Sequence, residues 1–167
     1  MSLSVILITK NEEANLKDCL ESVSFANEII VVDSQSSDKT QEIAKSFGVK
    51  LEITTDWPGF GPQKNRALNL ATQDWVLSID ADERVTPELK KEILAVISSK
   101  ESANCYAIPR SSWYCGRFMK HSGWYPDYVD RLFKRGTAKF SEHLVTKSRL
   151  VFLPHCALGR MVSSDFE

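Results

Sequence analysis

The four cysteines, Cys19, Cys105, Cys115 and Cys156, include no CxxC pair, so neither a zinc ribbon nor a thioredoxin-like motif is encoded. They read as reduced thiols of a cytosolic protein. His121, His143 and His155 share no metal-ligand spacing and read as structural. A P-loop and a GxGxxG fingerprint are both missing, which removes the usual ATPase and dehydrogenase readings. The opening MSLSVILITK lacks a basic n-region and its apolar run is too short for a signal peptide, while no stretch reaches transmembrane length. The expectation is a cytoplasmic protein whose membrane contact is peripheral. No nucleic-acid reader motif is present, and nucleic acid is not expected as a partner.

What is present is ordinary globular material: 167 residues, 43% hydrophobic and 26% charged, enough for one buried core. The net charge of −1 hides an asymmetry, since residues 1–103 carry 11 basic and 17 acidic side chains and residues 104–160 carry 10 and 3. The second segment is therefore a basic face suited to an anionic small molecule or to the anionic inner face of a membrane.

Alternating elements fill the first half. Leu3 to Ile8 is an apolar strand, and a helix with Leu16, Leu20 and Val23 on one stripe follows, for which Asn11 suits the N-cap and Glu12 and Glu13 the first turn. Glu28 to Val32 forms a second strand ending on Asp33. Ser37 or Asp38 then starts a helix with Ile43, Ala44 and Phe47 inward, closed by Gly48. Val49, Leu51 and Ile53 read as a third strand toward the sheet edge. After the TTDWPGFG loop, Pro62 suits the first position of a helix whose opening turn carries Gln63, Lys64, Asn65 and Arg66, either an anion site or a solvated basic turn. Thr86 and Pro87 cap and open a further helix with Leu89, Ile93 and Val96 inward. The β-α-β alternation implies an α/β fold with a mostly parallel sheet.

The organising stretch is WVLSIDADE, Trp75 to Glu83, where a charge-free β run stops on three carboxylates. Such a strand is buried on both faces, and ligands of open α/β sheets bind beyond the strands' carboxyl ends. Asp80 and Asp82, two residues apart, can turn toward one hard cation that also holds phosphate. A solvated turn feeding a helix N-terminus gives the same residues, and the buried strand before them favours chemistry. From Tyr106 to Pro109 another strand begins, followed by aromatic residues crowded among turns. Most of these read as core, but Trp124, between Gly123 and the turn formers that follow, suits a binding cleft. In GWYPDYVDRLFKRG, Asp127 and Asp130 stand beside Arg131, so one carboxylate could be paired and the other free.

Five blocks, SVILITKNEEANLKDCLESV, EIIVVDSQSSDKT, GFGPQKNRAL, WVLSIDADERVTPEL and GWYPDYVDRLFKRG, resemble in order the inverting nucleotide-sugar glycosyltransferases of family 2, which have the GT-A fold. The resemblance is nearest to bacterial enzymes that add a sugar, often glucose, to the inner core of lipopolysaccharide or lipooligosaccharide. It implies a nucleotide-sugar-binding half, residues 1–103, and an acceptor-side segment, residues 104–167, of one domain. Thr9, Asn11 and Glu13 would edge the nucleotide pocket, and Asp33 would receive uracil or ribose hydrogen bonds. Lys64 with Gln63 would face the diphosphate, and Asp80 would contact ribose or metal. Asp82 would ligate Mg²⁺ or Mn²⁺. Trp124 and Arg131 would line the substrate side. Inversion needs a base, for which Asp127 is the first choice and Asp130 the second. The implied partners are a UDP-sugar donor and a lipopolysaccharide-type acceptor.

After Phe140 the chain departs from that pattern. The family's VHE is replaced, with Thr146 and Lys147 at the expected His and Glu positions and His143 out of register, and the tail reads as truncated. A nucleotide-sugar-binding remnant without transferase activity is therefore the alternative. A haloacid-dehalogenase-type phosphotransferase fits less well, because Arg84 stands where its motif has Thr or Val, and a nucleotide-sugar pyrophosphorylase would need a Gly-rich opening where this chain has TKNEE.

Overall fold

The computed structural model describes residues 1–110, 113–114, 117–118, 127–141, 150–152 and 158–161. In chain order its elements are β1 (Leu3–Thr9), α1 (Leu16–Ser22), β2 (Glu28–Asp33), α2 (Thr40–Ser46), β3 (Lys50–Ile53), α3 (Phe60–Leu70), β4 (Trp75–Ser78) and α4 (Pro87–Ser98). Then come β5 (Cys105–Arg110), β6 (Trp113–Tyr114), β7 (Arg117–Phe118), β8 (Asp127–Lys134), β9 (Ala138–Phe140), β10 (Leu150–Phe152) and β11 (Leu158–Arg160). Seven strands form one sheet in the order β11-β5-β8-β4-β1-β2-β3. β1 pairs in parallel with β2 and β4, and β2 with β3, while β8 runs antiparallel between β4 and β5. The sheet thus includes strands from both sides of the expected 103/104 boundary. β9 with β10 and β6 with β7 are separate two-stranded ribbons.

Strand alternation sorts the core into two clusters, one on each face. Leu3, Val5 and Leu7 of β1, with Trp75 and Leu77 of β4, face Leu16, Cys19 and Leu20 of α1, Ala44 of α2, and Leu89, Ile93 and Ile97 of α4. Ile6, Ile30, Val32 and Val76 face Ala67 of α3 and Phe140 of β9 on the other side. All four residues of β4 are buried, in keeping with its charge-free sequence.

Some local readings hold and others shift. Thr86 Oγ1 accepts from the Leu89 N–H at 3.2 Å with Pro87 opening α4, and Gly48 follows α2 at φ +66°. β3 is the edge strand. Asn11, however, is not an N-cap: α1 begins five residues later, and Asn11 sits at φ +56° in the loop after β1. Its amide finds a partner on a neighbouring loop, and that wins over helix propensity. α3 starts at Phe60, two residues before Pro62, because Gly59 caps it at φ +108°, a backbone region open essentially to glycine. Phe47 is 37% exposed rather than inward, since α2 ends at Ser46 and the chain turns away.

Away from the strands' carboxyl ends, polar side chains stitch the sheet together. Ser2 donates through N and Oγ to Asp74 at 3.0 Å each, Leu3 N donates to Asn27 Oδ1 at 2.9 Å, and Glu28 Oε2 accepts from Ser4 Oγ at 2.6 Å and Thr72 N at 2.9 Å. At the other sheet edge Gly159 of β11 lies under the Tyr106 ring, where an added Cβ would sit 2.5 Å from Cε1. The Tyr106 hydroxyl accepts from Ala103 N at 2.9 Å, so the ring cannot swing aside freely. Gly159→Ala should lower stability by about 1–3 kcal/mol, the usual cost of overpacking, read as a shifted midpoint in denaturant unfolding.

Candidate functional site

β4 ends at Ser78, and the chain continues through Ile79 into a tight acidic turn. Glu83 N donates to Asp80 O at 3.0 Å, and the Asp80 N–H donates to Glu83 Oε2 at 3.0 Å. The turn is braced from behind by α1 and Arg84: Cys19 Sγ contacts Asp80 O at 3.6 Å, and Arg84 donates to the carbonyls of Ala81, Glu83 and Asn15. Burial, mainly, pushes the Cys19 thiol up to about 12, so it stays protonated and serves as a packing atom.

Two cations converge on the turn. Lys64, from the first turns of α3, donates to Asp80 Oδ1 at 2.8 Å, and Arg131 of β8 donates through Nη2 to Asp80 Oδ2 and Glu83 Oε1, both at 2.7 Å. The Lys64, Arg131 and Glu83 side chains are 10%, 5% and 8% exposed, whereas Asp80 is 37% exposed and faces outward. Burial alone would raise the Asp80 carboxyl, but Arg131 and then Lys64 outweigh it and hold it well below the usual carboxylate range. Glu83 is raised instead, by burial and by the Asp80 charge, against the pull of Arg131. Lys64 is lowered by burial and by Arg131.

Arg131 therefore pairs with the acidic turn, not with Asp130 beside it. Burial raises the half-buried Asp130 carboxyl. Asp127 contributes its backbone to the start of β8, paired with Arg110; its side chain and all of Trp124 lie outside the described residues, as do His121, His143, Thr146, Lys147 and His155. The opening turn of α3 is not a free anion site. Lys64 is held by Asp80, Arg66 makes a two-pronged pair with Asp56 at 2.8 and 2.7 Å, and Asn65 clamps the Phe140 backbone. Gln63 is fully buried, its amide donating to Ser34 Oγ and Thr54 Oγ1 and accepting from Arg66.

The loops after β1 and β2 are zipped to each other. Asp33, fully buried, accepts at Oδ1 from Ser36 N and Gln41 Nε2 and at Oδ2 from Thr9 Oγ1 and Ser36 Oγ. Asn11 Oδ1 accepts from Ser37 N at 2.9 Å, and Glu13 Oε2 from Lys39 N at 3.0 Å. Asn11 and Gln35 both adopt positive φ here, at +56° and +52°. Thr9, Asn11, Glu13 and Asp33 thus lie together at one rim, but with acceptors already engaged inside the protein. A ligand reaching Asp33 would displace one of those partners.

Asp82 is different. It is exposed, and among the described residues no hydrogen bond or ion pair engages its carboxylate. No group of three or more His, Cys, Asp or Glu residues able to hold a metal occurs among the described residues. This donor set fits a divalent ion that takes one protein carboxylate, Asp82, and fills its shell with diphosphate oxygens and water, as Mg²⁺ commonly does. Asp80 fits less well as a ligand, because a cation already faces each of its oxygens. Among the described residues, no helix is long and apolar enough to cross a membrane.

The family model described as Glycosyl transferase family 2 matches residues 4–165. The chain belongs to glycosyl transferase family 2. A Rickettsia bellii glycosyltransferase is 43% identical over 99 residues, covering 59% of this chain and 33% of its own length. The lipopolysaccharide core biosynthesis glycosyltransferase LpsC of Rhizobium meliloti is 30% identical over 149 residues, covering 84% of this chain and 53% of its own. The chain thus spans between about a third and a half of the length of these curated relatives. Among solved structures, S. aureus TarS superimposes with a TM-score of 0.74 at 19% identity, over 99% of this chain and 59% of that one. Its complex with UDP-GlcNAc matches at 28% identity and TM-score 0.59 over 73% and 38%. Glucosyl-3-phosphoglycerate synthase of Mycobacterium tuberculosis, in complex with Mn²⁺, UDP and glucosyl-3-phosphoglycerate, matches at 26% identity and TM-score 0.55 over 70% and 45%. The α/β architecture with a largely parallel sheet is that of the GT-A glycosyltransferases, as the sequence resemblance implies.

Two features of this family 2 site were not foreseen from sequence: Glu83 as a gripping residue, and Arg131 as its partner. The lowered Asp80 carboxyl gives a pH test. A depressed folded-state pKa contributes stability that is present above the unfolded carboxyl value, near 4, and is lost as pH falls toward the folded value. Glu83, raised, works in the opposite sense, so acidification relieves its cost. Asp80→Asn should therefore flatten the loss of stability below about pH 4, measured by denaturant unfolding across pH.

Proposed function

We propose that this domain moves a hexose, glucose in our reading, from a UDP-sugar to a lipopolysaccharide- or lipooligosaccharide-type inner-core acceptor with inversion and with Mg²⁺ or Mn²⁺. The observation that carries the reading is Asp82, a carboxylate without a partner among the described residues, at the mouth of a parallel sheet over a floor where Lys64 and Arg131 balance Asp80 and Glu83. The LpsC likeness supports the acceptor class, and the UDP-GlcNAc and Mn²⁺–UDP complexes of the structural neighbours support the donor and the metal. Residues 1–103 hold the nucleotide sugar, and residues 104–167 serve the acceptor side, their basic surplus favouring an anionic acceptor and peripheral contact with an anionic membrane.

In this reading Asp82 receives the metal, which when bound offsets the charge growing on the departing UDP. Lys64 and Arg131 keep Asp80 ionised and oriented toward the ribose. The loops joined by Asp33, with Thr9, Asn11 and Glu13, form the nucleotide rim. Asp127 takes the proton from the acceptor hydroxyl, with Asp130, whose carboxyl burial raises, as second choice. β8 runs antiparallel to β4, so Asp127 begins β8 at the end of the sheet where the acidic turn lies.

The test is a panel of labelled nucleotide sugars with Mg²⁺ or Mn²⁺ and truncated lipopolysaccharide acceptors, read as transferred label. Asp82→Asn should lower turnover at least a hundredfold. Asp127→Asn should lower it by about 10²–10⁴ while UDP affinity by calorimetry changes little. Normal turnover in the second variant removes Asp127 as base, and UDP-sugar binding with no transfer by the unaltered chain selects the binding remnant.

A further inference from the structure

We infer that Glu83 and Arg131 form a positioning clamp that sets the direction of Asp82 without either residue touching substrate; its use in donor binding rests on the nucleotide-sugar reading above. The clamp begins with a β-bulge. Between β5 and β8 the pairing passes from Tyr106–Leu132 to Ala107–Asp130, so Arg131 is the extra residue with no counterpart on β5. On the other side of β8 the β4 ladder stops at Leu77–Leu132, one residue short of it. Bulges bend a strand and re-aim a side chain, and they recur beside active sites. Here the re-aimed guanidinium passes the end of β4 and reaches the turn.

Glu83 then grips Asp80 in three ways. Its N–H donates to Asp80 O at 3.0 Å, its Oε2 accepts from Asp80 N at 3.0 Å, and its Oε1 shares Arg131 Nη2 with Asp80 Oδ2 at 2.7 Å each. The two residues so enclosed are Ala81, buried, and Asp82, exposed. With Asp80 and Glu83 fixed to each other, the backbone that carries Asp82 is held between them. Among the described residues Arg131 Nε is buried with no hydrogen-bond partner, and the guanidinium meets the acidic turn through Nη2. Stability alone would be served as well by apolar residues of similar volume, since buried ion pairs rarely exceed them. The arrangement orients the turn.

Glu83→Gln, Arg131→Lys and Arg131→Met, made in the full chain, separate orientation from bulk stability. Glu83→Gln keeps the volume and an acceptor for the Asp80 N–H but loses the ion pair. Without ligand, amide exchange in residues 81–84 should quicken at least tenfold while β1 amides hold their rates. The gain in UDP affinity that Mn²⁺ confers, by calorimetry and taken against each variant's own metal-free affinity, should shrink at least tenfold. Arg131→Lys should recover part of what Arg131→Met loses, and Glu83→Gln decides the matter alone if Arg131→Met does not fold. Unchanged exchange in the turn overturns the clamp; faster exchange with an undiminished Mn²⁺ gain overturns its role toward Asp82. If the unaltered chain binds no UDP with Mn²⁺, the donor reading fails, and turn exchange still decides the clamp.

Discussion

Burying a charge is costly unless a partner of opposite sign and good hydrogen bonds come with it. Lys64, Asp80, Glu83 and Arg131 meet that condition only together, two cations against two carboxylates, with three of the four side chains nearly closed off from water. They come from α3, the end of β4 and β8, so none is satisfied until the helix has docked and β8 has entered the sheet. The acidic turn is thereby tied to the correct assembly of both halves of the chain. The balance also explains why two neighbouring carboxyls shift in opposite directions: Asp80 has a cation at each oxygen, whereas Glu83 shares one and is more deeply buried.

Much of the frame was legible in the residues because local and global signals agree there. The charge-free run from Trp75, the Thr86–Pro87 opening and Gly48 after α2 each point to the structure that forms. The acidic turn itself was readable from its place after a buried strand. The misreadings share a cause, which is competition from contacts far away in sequence. Asn11 has the chemistry of an N-cap, but Ser37 of the next loop offers its amide a bond that holds it in a left-handed conformation. Arg131 stands next to Asp130 in the chain, yet a bulge in β8 opposite β5 sends it to residues about fifty positions earlier. No spacing rule announces a bulge.

The rim formed by the loops after β1 and β2 has been tightened in a similar way. Asp33 collects four donors from Thr9, Ser36 and Gln41, and the adjoining loop is bridged by Asn11 and Glu13. Such a rim is preorganised: little loop ordering remains to oppose binding, and the positive φ of Asn11 and Gln35 is strain that the surrounding bonds sustain.

The stitching of Ser2, Leu3, Ser4 and Thr72 to Asp74, Asn27 and Glu28 sits at the opposite end of β1 from the loop that follows Thr9. At about 3.3 Å per residue, the seven residues of β1 put roughly 20 Å between the two ends, well past the range at which substitutions usually interact. The far end and the acidic turn are therefore separate neighbourhoods in this domain. An engineer, or a lineage under drift, can rework the far end for heat tolerance and leave the acidic turn untouched.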